Sequence, residues 1–266
     1  MIRFIDTHVH LNDPAFRDDL PEVLERAGRA GVARMVVAGY DLSSSITAVS
    51  LAGQYGGLWA AVGYSPHEAR TWDDQGADRL AELAADRKVV AIGEIGLDYH
   101  YDFSPRQRQL EVFQHQIDLA VRLNLPVVIH SREAAEHTMD ILRRSAPRLR
   151  GGVMHCFSGS LETALTACNL GFLISFAGPL TYKNAERLRE TAARLPENRL
   201  LSETDAPYLT PHPDRSQRRN EPAKVGLIVS ALADAKGKSL EEMAAAIWAN
   251  AERVFSFAEQ DDGKRG

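Results

Sequence analysis

Only two cysteines, Cys156 and Cys168, occur in 266 residues. That is too few for a disulfide framework and fits a reducing compartment, so the cytoplasm is the expected location. No apolar run approaches the ~20 residues of a membrane helix. The opening Met1-Ile2-Arg3-Phe4-Ile5-Asp6-Thr7-His8 does not have the charged-then-apolar layout of a secretory signal. Excess positive charge is missing too. The formal net charge is -5, so no global basic field gathers nucleic acid. This disfavours a protein that coats DNA. It does not disfavour an enzyme that grips one phosphate, because bound metal ions add positive charge that composition omits. There is no internal repeat and no low-complexity segment.

What is present is an ordinary globular composition, 44% hydrophobic and 25% charged. A chain of this length buries a large core without disulfide staples. Eight apolar runs punctuate it: Arg3–His8, Arg34–Ala38, Leu58–Gly63, Val89–Ile95, Pro126–His130, Gly152–His155, Gly171–Ala177 and Arg199–Thr204. They are rich in Val, Ile, Leu and Phe with little alternation, as expected of strands buried on both faces. Helical spacing marks Leu20–Ala30, a long stretch opened by Pro105, Glu133–Arg144 and Leu161–Leu170. Strand and helix alternating eight times predict a parallel sheet closed into a (β/α)8 barrel. The runner-up is an open doubly wound sheet, but the glycine-rich phosphate fingerprint after the first strand is absent. A proline-rich segment, Pro207–Pro222, follows the last strand. Helices are expected at Ala223–Lys236 and Leu240–Phe257, the second opened by a Ser239/Glu242 capping box. Residues 1–258 read as one catalytic domain, and 259–266 as a polar disordered tail.

The chemistry lies at the ends of these runs. His8 and His10 alternate on the first strand, so they face the same side. Glu94 lies in a strongly apolar run, where a lone carboxylate is costly. His130 and His155 close the fifth and sixth runs, and Asp205 directly follows the eighth. In a closed barrel the carboxyl ends of all strands meet in one bowl, where active sites lie. Any one of these residues alone reads more simply as a satisfied core polar group. Four imidazoles and two carboxylates at the same end point instead to a metal site. A single catalytic ion takes about three protein ligands, so six donors suit two ions, with Glu94 the natural bridge. Mixed nitrogen and oxygen donors suit Zn²⁺ or Mn²⁺, with Mg²⁺ possible where substrate oxygens complete the shell.

These segments resemble the TatD family of metal-dependent deoxyribonucleases. The likeness rests on Phe4-Ile5-Asp6-Thr7-His8-Val9-His10, Gly93-Glu94-Ile95-Gly96-Leu97-Asp98-Tyr99, Val128-Ile129-His130-Ser131-Arg132, His155-Cys156-Phe157-Ser158-Gly159, Leu201-Ser202-Glu203-Thr204-Asp205-Ala206-Pro207-Tyr208 and Arg219-Asn220-Glu221-Pro222. It implies a TIM-like barrel of the metallo-dependent hydrolase type, two divalent metals and hydrolysis of DNA phosphodiester bonds, often from the 3′ end. It implies that His8, His10, Glu94 and Asp205 hold one metal and that Glu94, His130 and His155 hold the other. Asp205 would also take a proton from the attacking water, with Glu203 setting its geometry or serving a further ion. One segment departs from the family pattern: where many members carry Gly-x-His-Pro-His, this chain has Gly63-Tyr64-Ser65-Pro66-His67.

His67 and Arg132 are candidates for gripping a substrate phosphate, Arg132 bidentately. Arg219, with Arg215 and Arg218, forms a basic patch expected to steer a strand toward the metals. Tyr99, Phe103, Tyr182 and Tyr208 lie on loops at the same rim, where aromatic rings stack on bases or pack the loops down. The substrate expected is DNA, as single strands or 3′ ends, acted on by a monomer with no membrane partner. Two other functions stay open. One is an amidohydrolase-type barrel cleaving amides or esters, which often places a lysine where Glu94 stands. The other is a non-catalytic metal-binding protein.

Overall fold

The computed structural model describes residues 2–73 and 75–257. The tail expected at 259–266 lies outside the described residues. Eight strands pair in parallel and in strict chain order. They are β1 (Phe4–Val9), β2 (Val32–Ala38), β3 (Leu58–Val62), β4 (Val89–Asp98), β5 (Val127–Arg132), β6 (Gly152–Met154), β7 (Phe172–Phe176) and β8 (Leu200–Ser202). Seven helices cross between them: α1 (Leu20–Arg29), α2 (Leu42–Gln54), α3 (Gly76–Ala84), α4 (Arg106–Leu123), α5 (Ala135–Ser145), α6 (Leu161–Asn169) and α7 (Glu186–Arg194). Unalternated strands need cover on both faces, and these crossovers supply the outer one. β3, β4, β6, β7 and β8 are buried along their whole length.

The barrel closes across the seam between β8 and β1. The Asp205 N–H donates to the His8 carbonyl at 3.0 Å, and the His10 N–H to the Ala206 carbonyl at 2.8 Å. Fully buried Asp6 adds a side-chain stitch, accepting from the Thr204 N–H at 2.9 Å and from the Thr204 hydroxyl. Burial pushes its carboxyl up to about 8 despite those bonds. After β8, helices α8 (Val225–Lys236) and α9 (Leu240–Phe255) pack on β1 and β8 and cover the seam from outside. Helix α9 opens on the Ser239/Glu242 capping box, with both reciprocal bonds made. It ends at Phe255 because Ser256 turns into the left-handed region at a φ of 47°.

Two irregularities aim side chains into the bowl. The β1–β2 register shifts between Asp6 and Val9, the interval that holds His8. The β4–β5 register shifts between Ile92 and Ile95, the interval that holds Glu94. Such shifts re-aim a side chain beside active sites. Strand β4 then continues to Asp98, three residues past the apolar run, so Glu94 lies within the strand rather than at its end. Gly96 permits this close pairing. Its φ is +138°, and a Cβ there would lie 2.0 Å from the His130 carbonyl oxygen.

Candidate metal centre

Six side chains from β1 and the residue after it, from β4 and β5, and from the turns after β6 and β8 converge at the carboxyl end of the barrel. On one side, His8 Nε2 and His10 Nε2 are 3.1 Å apart. Both face Glu94 Oε2, at 3.6 and 3.7 Å, and Asp205 Oδ1, at 3.7 and 3.4 Å. On the other side, Glu94 Oε1 lies 2.9 Å from His130 Nδ1 and 3.2 Å from His155 Nε2. Those two nitrogens are 3.3 Å apart. Donors about 2.0–2.2 Å from a tetrahedral cation are themselves roughly 3.3–3.6 Å apart. The distances in the two groups run from 2.9 to 3.7 Å and bracket that spacing, and the two oxygens of Glu94 are divided between them.

The outward atoms of three imidazoles fix which nitrogen carries the proton. His10 Nδ1 donates to the Ala38 carbonyl at 3.1 Å, leaving the Nε2 lone pair pointing inward. His155 Nδ1 donates to Glu203 Oε1 at 3.1 Å, again leaving Nε2 inward. His130 is reversed. Its Nε2 donates to Asp98 Oδ2 at 2.9 Å, so Nδ1 faces Glu94. An imidazole oriented by a carboxylate or carbonyl behind it is the arrangement that metal-ligating histidines adopt. His8 Nδ1 and Glu203 Oε2 are buried without a hydrogen-bond partner among the described residues.

Electrostatics point the same way. Burial works against ionising Glu94, but the charge on His155 and hydrogen bonds from His130, His155 and His8 outweigh it and hold the carboxyl well below its usual range. Burial likewise opposes charge on His155, yet Glu94 and Glu203 raise it well above the ordinary imidazole value. His8 moves down, through burial and the charge on His155. The carboxylates thus demand positive charge in the cluster, and divalent cations supply it while leaving the inward imidazole nitrogens free to ligate. The donor set and its spacing fit them.

The backbone at this end is held in costly conformations. Asp205 adopts a φ of 55° and Cys156 a φ of 43°. Such turns cost on the order of 1–3 kcal/mol and persist only when over-determined. Asp205 is pinned by its N–H to the His8 carbonyl and by its own carbonyl to the Tyr208 N–H at 2.9 Å. Fully buried Asn220 ties the next turn, donating to the carbonyls of Thr204 at 3.0 Å and Tyr208 at 2.7 Å. The Cys156 N–H donates to Glu203 Oε1 at 2.7 Å.

Of the expected substrate residues, His67 reaches the rim of the cluster, with its ring 5.7 Å from that of His130. His67 lies in the 3₁₀ turn Pro66–Thr71 and donates from Nε2 to Asp98 Oδ2 at 3.0 Å. Exposed Arg132 lies 4.7 Å over the Tyr101 ring. Arg219 does not reach the cluster. Its guanidinium is committed to Asp19, Glu221 and the Ala15 carbonyl, and it covers the Phe16 ring at 5.1 Å. The physical reason is charge neutralisation: two carboxylates occupy the arginine expected to meet a phosphate. The four rim aromatics separate as well. Phe103 lies 5.2 Å from His67, and Tyr208 lies 6.0 Å from His10. Tyr99 is tied to His137 at 2.7 Å, and Tyr182 lies under Arg215 at 3.9 Å.

Asp98 has a role that the sequence reading missed. It is fully buried, and it accepts from His130 and His67 through one oxygen and from the N–H groups of His100 and Tyr101 through the other. Alternation offered a signal, since Asp98 is four residues after Glu94 on one strand and shares its side.

The chain is similar to known proteins in sequence and fold. The family model described as TatD related DNase matches residues 5–256. The chain is 44% identical to the uncharacterized metal-dependent hydrolase YabD of Bacillus subtilis (strain 168), over 94% of this chain and 98% of that protein. It is 37% identical to the 3′-5′ ssDNA/RNA exonuclease TatD of Shigella flexneri, over 95% and 99%. The crystal structure of YJJV, a TatD homologue from Escherichia coli K12, superposes with a TM-score of 0.90 at 35% identity, covering 96% of this chain and 98% of that one.

Proposed function

The chain belongs to the TatD-related DNase family, and from that premise we propose that it hydrolyses phosphodiester bonds in single-stranded nucleic acid, DNA first, working from the 3′ end with two divalent cations. The observation that carries this reading is the division of Glu94, with Oε2 facing His8 and His10 and Oε1 facing His130 and His155. His8, His10, Glu94 and Asp205 would hold one cation, and Glu94, His130 and His155 the other. When bound, Zn²⁺, Mn²⁺ or Mg²⁺ supplies Lewis acidity, lowering the pKa of water and polarising the phosphate.

The chain's own residues do the rest. Asp205, held beside His10, accepts the proton of the attacking water. Glu203 is a positioning residue: through His155 Nδ1 and the Cys156 N–H it fixes the ring and the turn that carries it. Arg132 meets the phosphate, since among the described residues its guanidinium makes no ion pair. His67, oriented by Asp98, borders the same approach. Arg219 acts indirectly, by anchoring the Pro207–Pro222 loop to α1 through Asp19. An amide or ester hydrolase with a bridging lysine finds no support here. Lys88, at the start of β4, turns its amine to the carbonyls of Gly56 and Leu58.

The test is incubation of purified protein with end-labelled single-stranded oligonucleotides across Mg²⁺, Mn²⁺ and Zn²⁺, with product lengths read on a gel. Stepwise shortening from the 3′ end that stops on chelation and returns with added metal supports the reading. Cleavage that survives exhaustive chelation and dialysis rules it out.

A further inference from the structure

Among the described residues, five large hydrophobic side chains are exposed, and three of them border this mouth: Tyr101, Phe103 and Tyr208. Phe103 is the most exposed of the five, at 57%. Its ring stacks on Tyr101 with centroids 5.2 Å apart and planes 12° from parallel. The edges of both rings meet His67, at 5.2 and 5.6 Å. His67 in turn is linked through Asp98 to His130. His67, whose ring lies 5.7 Å from that of His130, therefore stands between the pair and the proposed metal centre. Arg132 covers Tyr101 at 4.7 Å. An aromatic face beside an unneutralised guanidinium presents, side by side, partners for a base and for its phosphate.

We propose that Phe103, backed by Tyr101, forms a stacking platform for one unpaired nucleobase next to the scissile phosphate. This rests on the phosphodiesterase reading and deepens it. A base inside a duplex already stacks on its neighbours and pairs across the helix, so it reaches the platform only after leaving both. The platform makes the enzyme selective for single strands without reading sequence, because every base has a π-face. Tyr101 also supports Arg132, so its truncation would disturb two contacts. Phe103 is the cleaner probe, because among the described residues it makes ring contacts to His67 and Tyr101 and does not carry Arg132.

The experiment compares wild type with Phe103→Ala on two single-stranded oligonucleotides of equal length, one ordinary and one carrying abasic tetrahydrofuran residues at its 3′ end. For wild type, kcat/KM is expected to fall about ten-fold on the abasic strand. Phe103→Ala should lose a similar factor on the ordinary strand and little more on the abasic one. Phe103→Trp should keep the preference, and its added fluorescence should be quenched by the ordinary strand but not by the abasic one. Equal activity of wild type and Phe103→Ala on the ordinary strand overturns the platform. So does an equal loss on both substrates, which would mark Phe103 as a packing residue. Wild type inactive on both strands overturns the phosphodiesterase reading itself, so the two failures are distinguishable.

Discussion

Asp98→Asn is a near-isosteric change that tests how the proposed second cation would be held. Each oxygen of Asp98 receives two donors: Oδ1 from the N–H groups of His100 and Tyr101 at 2.9 and 2.8 Å, and Oδ2 from His130 and His67 at 2.9 and 3.0 Å. An amide has one oxygen, so whichever way it turns, its NH₂ meets two donors. If it faces the rings, His130 must give up its Nε2 proton. That proton moves to Nδ1, the nitrogen 2.9 Å from Glu94 Oε1, and consumes the lone pair aimed into the site. If it faces the backbone, the turn carrying Tyr101 is pushed out. Loss of an orienting carboxylate behind a ligating histidine weakens metal affinity by about 10–100-fold, or roughly 1.4–2.7 kcal/mol. Calorimetric titration of metal-stripped protein with Zn²⁺ or Mn²⁺ reads this directly. One cation should bind as in wild type and the other should weaken by that factor. Wild-type affinity for both cations in Asp98→Asn would refute the tautomer argument.

Other outcomes follow from the same geometry. Glu94→Gln keeps the shape of the bridge but removes its charge, so nuclease activity should fall below detection with circular dichroism unchanged; normal turnover with normal metal content would contradict the bridging role. Asn220→Ala leaves two carbonyls without their donor, which costs about 1–3 kcal/mol, and its melting temperature should drop by several degrees. Glu221 is opposed by burial but held below its usual range by Arg26 and Arg219. Its folded value is lower than its unfolded one, so the stabilisation is present above the ordinary carboxylate range, about 4.3, and is lost as pH falls through the folded value. The stability gap between wild type and Arg219→Met should therefore be constant from neutral pH to about 5 and narrow below that; a constant gap down to low pH would count against the ion pairs. Burial pushes Cys168 up to about 11, so a thiol reagent at mild pH should modify it only after denaturation.

The strands were legible because their apolar runs carry the information locally. β1 to β8 fall inside or within a few residues of the eight runs read from sequence. Helices α4, α5, α6, α8 and α9 also announced themselves through apolar spacing and caps. Helix α2 did not, because Leu42–Gln54 is rich in serine and β-branched residues that score poorly as helix formers. It folds through tertiary cover and a capping box in which Asp41 and Ser44 bond each other's backbone. The convergence of the six candidate donors was legible because five fall at or near a strand end, where the fold brings them to one bowl, while Glu94 lies within β4 at a register shift. What stayed hidden depends on distance across the chain. The partner that neutralises Arg219 is Asp19, 200 residues earlier. The work of Asp98 requires knowing that His67 and His130, 31 and 32 residues away, arrive at one oxygen. Asp6 reads as part of a His-x-His strand, and only closure of the seam gives its carboxylate the Thr204 backbone to hold.

The most direct measurement is anomalous diffraction from crystals soaked in Mn²⁺. Two peaks about 3.5–4 Å apart are expected on either side of the Glu94 carboxylate, one among His8, His10 and Asp205 and the other between His130 and His155. A single peak, or two peaks that do not share Glu94, would contradict a bridged pair of cations.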